Sequence, residues 1–76
     1  MEHYHLVYDK SDDRWELKKQ NAARATKAFE TKEKGLDYAI DFLKDKQASL
    51  KIHKKDGTIQ EERTYPRVAD PTRTKG

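Results

Sequence analysis

His3 and His5 stand two residues apart, the spacing that puts both imidazoles on one face of a strand, and His53 lies far along the chain. Three imidazoles gathered in this way can ligate a metal such as zinc, provided their strands are neighbours. No carboxylate is spaced to orient the rings, so solvated imidazoles are expected, and neither a metal nor any other cofactor. Ser11 and Ser49 lack the Gly-rich elbow of an activated nucleophile. Asp56, near His53, suits a turn better than a catalytic pair. On these grounds no enzyme is expected.

Two binding surfaces compete for the remaining chemistry. Lys51, His53, Lys54 and Lys55, with Arg14 and Lys18 if their strand is adjacent, can line a basic sheet face on which Tyr65 stacks a base. Arg67, Arg73 and Lys75 would add phosphate contacts from the C-terminal end. Glu16, Glu61 and Glu62 interrupt that face, and a mixed-charge solvated surface is its plainer reading. The second surface is acidic: Glu33, Asp37, Asp41 and Asp45 recur every four residues and form a ridge on a helix. Such a ridge is ordinarily a solvent-facing stripe, but with Tyr38 and Phe42 at its margin it can also dock a basic protein groove.

Charge placement weighs between these surfaces. The formal net charge is +3, yet residues 1 to 62 carry 13 basic and 13 acidic side chains, so the excess belongs to the C-terminal stretch. A neutral body favours a larger protein as partner over nucleic acid, which stays as the alternative. A small regulator or inhibitor acting through an exposed sheet or its acidic helix face is the expected function.

The chain that must position these groups has 76 residues, 41% of them charged and 33% hydrophobic, enough for one small domain. It has no Cys, which excludes disulfides and thiolate metal sites and makes the cytoplasm the expected location. No run is apolar and long enough for a signal peptide or a membrane span.

Alternating residues predict strands over 3 to 8 and 14 to 19, joined by Asp9-Lys10-Ser11-Asp12-Asp13. Residues 23 to 29 suit a helix by propensity, but the turn formers Gln20-Asn21 and the helix cap at Thr31 favour a third strand. Leu36, Ala39, Ile40 and Leu43 predict an amphipathic helix over 32 to 46. Gly35, in its first turn, costs about 1 kcal/mol relative to Ala and implies a close packing contact. Two further alternating runs flank Asp56-Gly57, a pair that predicts a hairpin with a type I′ turn, and the last strand ends at Pro66.

The expected fold is α+β: an antiparallel sheet of four or five strands, in the order β-β-β-α-β-β, with one helix on one face. Residues 1 to 66 form the domain and 67 to 76 a flexible basic tail. The expected core is Tyr4, Leu6, Trp15, Leu17, Phe29, Leu36, Ala39, Ile40, Leu43, Leu50, Ile52 and Ile59. So small a core would gain from dimerisation through the open sheet face or an edge strand.

Ile52-His53-Lys54-Lys55-Asp56-Gly57-Thr58-Ile59-Gln60-Glu61-Glu62-Arg63-Thr64-Tyr65 resembles the C-terminal signature of a family of small bacterial and phage proteins of unknown function, its most specific part being His-x-x-Asp-Gly-x-Ile. That family also opens with a His-hydrophobic-hydrophobic strand, matched by His5-Leu6-Val7. A lone Trp in the second strand, a basic-small-Ser/Thr stretch and an aromatic followed by Thr correspond to Trp15, Arg24-Ala25-Thr26, Phe29 and Thr31. The family commonly places Pro where Tyr8 stands and Gly where Asp13-Arg14 stand. The resemblance covers residues 3 to about 66 and implies the fold, with no reaction or ligand attached.

Overall fold

A computed structural model describes residues 1 to 65. The tail expected beyond Pro66, with Arg67, Arg73 and Lys75, lies outside the described residues. Five strands, β1 (Glu2–Asp9), β2 (Arg14–Lys19), β3 (Lys27–Phe29), β4 (Ala48–His53) and β5 (Ile59–Tyr65), form one sheet, and helix α1 (Lys32–Leu43) lies between β3 and β4 in the chain. The sheet order is β3-β2-β1-β4-β5.

The α+β class and the element order agree with the sequence, but the sheet is mixed rather than wholly antiparallel. Tyr4 pairs with Leu50 and Leu6 with Ile52 in a parallel β1–β4 ladder. The connection explains it: α1 carries the chain back along the sheet after β3, so β4 starts beside the beginning of β1 and runs with it.

Thr31 caps α1, its hydroxyl accepting from the Lys34 amide at 3.1 Å, and Glu33 sets an acid in the first turn. The helix ends at Leu43, three residues short of its expected end, because the Lys46 amide turns back to the Leu43 carbonyl at 2.9 Å to enter β4. The third strand is also shorter than expected, with only Lys27–Phe29 paired to β2.

One face of α1 packs on β1, β2 and β3. Tyr4, Leu6, Trp15, Leu17, Ala39, Leu43, Ala48, Leu50, Ile52 and Tyr65 are buried beneath and beside it. Gly35 is where the helix comes closest: a Cβ there would lie 2.9 Å from Leu6 Cδ1 and 3.1 Å from Phe29 Cδ1. The close contact expected of this glycine is therefore present.

Two expected core residues are exposed instead, Ile40 at 36% and Ile59 at 53%. Ile40 lies on the helix flank beyond the sheet contact. Ile59 is displaced by a bulge: Ile52 pairs with Glu61 but His53 with Ile59, so Gln60 is an extra residue. A one-residue shift carries a side chain to the opposite face, and Ile59 emerges beside His53 on the side the helix does not cover.

The Asp56-Gly57 turn differs from expectation as well. Gly57 has a φ of +94°, whereas Asp56 is not in the left-handed region, so this is not a type I′ turn. The Gly57 amide bonds to the Lys54 carbonyl at 3.0 Å and the Lys54 amide to the Thr58 carbonyl at 2.8 Å. This is a three-residue connection with glycine in the left-handed position. Asp56 stabilises it by accepting from the Thr58 amide at 2.9 Å and hydroxyl at 2.7 Å. Gly57→Ala is expected to cost about 1 kcal/mol through that φ alone, since nothing lies within 4 Å of a Cβ there. A urea titration that leaves the midpoint unchanged would contradict this.

Candidate functional site on the open sheet face

Alternation along the strands sends Tyr4, Leu6, Trp15, Leu17, Leu50 and Ile52 to the helix side and His3, His5, Glu16, Lys18, Lys51 and His53 to the other. No helix among the described residues covers this second face. Across its centre, Lys18 of β2 pairs with His5 of β1, His5 with Lys51 of β4, and Lys51 with Glu62 of β5. Lys51 also meets Glu62 in a 3.5 Å ion pair.

The parallel β1–β4 ladder brings the histidines together. His5 Nδ1 lies 3.0 Å from His53 Nε2. His53 Nδ1 lies 3.0 Å from the Gly57 carbonyl, which can only accept, so Nδ1 carries the proton and the Nε2 lone pair faces His5. His3 does not join the pair; its Nδ1 turns to the buried Ser49 hydroxyl at 2.8 Å. Among the described residues no group of three metal-ligating side chains forms.

Desolvation holds the His5 imidazole below its ordinary pKa, and His53, Lys51 and His3 push it further in the same direction against the Gln20 hydrogen bond. Lys18 faces His5 from β2 as well. A histidine depressed in the folded state contributes stability that is complete above its unfolded pKa of about 6.5 and is lost as pH falls through the lower folded value. In a chelating buffer the melting temperature is therefore expected to drop between pH 7.5 and 5. The drop should be smaller in His5→Gln, and an equal drop would remove His5 from the cause.

The expected basic face is only partly assembled. Arg14, Lys18, Lys51 and His53 share the open face, but Arg14 pairs with Asp9, and Glu16 and Glu62 lie among the lysines. Lys54 and Lys55 lie in the turn, and Lys55 Nζ reaches over the Tyr8 ring at 4.9 Å. Tyr65 cannot stack a base there, since it is buried on the helix side.

The acidic ridge stands on α1 with Glu33, Asp37 and Asp41 exposed, while Asp45 falls beyond the helix end. Lys44 meets Asp41 at 3.0 Å. Tyr38 and Phe42 are not free anchors. They stack on each other at 5.7 Å, Phe29 meets Tyr38 at 5.3 Å, and Phe42 meets Tyr4 edge-on at 5.7 Å. Lys27 and Lys46 cap the two rings.

Nothing in the sequence pointed to Ser49 as the partner of His3. The sequence left the meeting of His5 and His53 conditional on their strands being neighbours, and the β1–β4 ladder meets that condition for this pair. No helix among the described residues is long and apolar enough to cross a membrane. No curated protein and no solved structure matches the chain. Residues 4–65, which hold most of β1, the other four strands, the helix and the His5–His53 contact, match the model of a family described as an uncharacterized protein conserved in bacteria, DUF2188, and the chain belongs to that family.

Proposed function

We propose that the chain is a non-enzymatic cytoplasmic binding module that docks a larger protein on the open face of its sheet and acts as a regulator or inhibitor. The observation that carries this reading is the uncovered face itself, where His5, flanked by Lys18 and Lys51, meets His53. Opposite charges stand side by side at two places on that face, Arg14 beside Asp9 and Lys51 beside Glu62. Such a pattern matches a protein surface better than a continuous run of phosphates. The helix ridge serves less well, because the rings beside it are engaged in packing.

The row Lys18, His5, Lys51 supports a second reading, nucleic-acid binding, and one experiment separates the two. Backbone-amide shifts are followed while duplex and single-stranded oligonucleotides are added at low and moderate salt. The protein reading expects no localised shifts around Lys18 and Lys51. It further expects that Lys18→Glu/Lys51→Glu abolishes a captured partner that Asp37→Lys/Asp41→Lys retains. Localised shifts that weaken steeply with salt would overturn it in favour of nucleic acid.

A further inference from the structure

The geometry points to a binding site for a divalent late transition metal between His5 Nδ1 and His53 Nε2, with Cu2+ and Ni2+ ahead of Zn2+. His53 has one feature of a ligand, its Nδ1–H bound to the Gly57 carbonyl, which leaves Nε2 unprotonated 3.0 Å from His5 Nδ1. An ion replaces the proton between them once both rings turn toward a point about 1.4 Å off the line joining the nitrogens. His5 binds the ion in the tautomer that leaves Nδ1 free, with its proton on Nε2.

The separation selects the metal. With metal–nitrogen bonds of about 2.0 to 2.1 Å, nitrogens 3.0 Å apart subtend about 94° at the ion. That is the right-angled edge of a square-planar or tetragonal field, suited to Cu2+ and Ni2+, and it is narrower than a tetrahedral site needs. The affinity order of first-row ions points the same way.

Lys18 and Lys51 oppose a cation here, while Glu62 neutralises Lys51 through its ion pair. Water completes the coordination from the open side of the sheet. The site is independent of the partner reading, because it needs only this chain and the ion.

The test is titration of the 76-residue chain with Cu2+, Ni2+ and Zn2+ at pH 7.5 in a His3→Gln background, which removes the third imidazole and weakens chelation by the amino-terminal segment. One equivalent of Cu2+ should bind, its electron paramagnetic resonance spectrum showing two imidazole nitrogens, with Ni2+ and then Zn2+ weaker. His5→Gln and His53→Asn should each weaken Cu2+ at least tenfold. Unchanged affinity in either folded variant, or a spectrum with fewer than two imidazole nitrogens, would overturn the site. If a substitution unfolds the chain, the spectrum of the unsubstituted pair decides alone.

Discussion

Gly35→Val lowers the unfolding free energy by about 3 kcal/mol, at the upper end of the cost of overpacking a well-filled core. The first added atom would meet Leu6 Cδ1 at 2.9 Å and Phe29 Cδ1 at 3.1 Å. Leu6 is wholly buried on the central strand β1, so its methyl has little room to yield, and the branched side chain adds two further carbons at the same place. For a domain of this size the loss corresponds to a fall in melting temperature of roughly 12 to 24 °C. A thermal melt within a few degrees of the parent would show that α1 can lift from the sheet at little cost. Gly35→Ala is milder, because about 1 kcal/mol of regained helix propensity offsets part of the clash.

Leu6→Ala costs about 2 to 5 kcal/mol, since it opens a cavity under the helix in the middle of the sheet. Its sharper consequence is a change of sign at Gly35. Without the Leu6 methyls the nearest obstacle is gone, and Phe29, only half-buried at the edge, can shift. Gly35→Ala, destabilising in the parent, should then stabilise the Leu6→Ala protein by up to about 1 kcal/mol. Denaturant titrations of the four proteins form a double-mutant cycle. Additive effects would mean that Gly35 is not held by Leu6.

The strands at 3 to 8 and 14 to 19 were legible because one residue in two is apolar and the covered face demands that period. The cap at Thr31 was legible because it uses a local bond. The site was less so. His5 and His53 are 48 residues apart and meet only because β4 lies beside β1 in parallel. Tyr38 and Phe42 looked available as anchors because a helical wheel shows which residues share a flank, and not that Phe29 and Tyr4 fill the space beside them.

By itself the sequence determined the α+β class, the element order, the neutral body and the glycine contact, all of which follow from short-range periodicity, charge and backbone preference. Only the tertiary structure decided the parallel β1–β4 ladder, the bulge that turns Ile59 outward and the pairing of His5 with His53. These depend on which strand lies beside which and in what register, and register is set by packing the whole sheet under one helix rather than by any local run of residues.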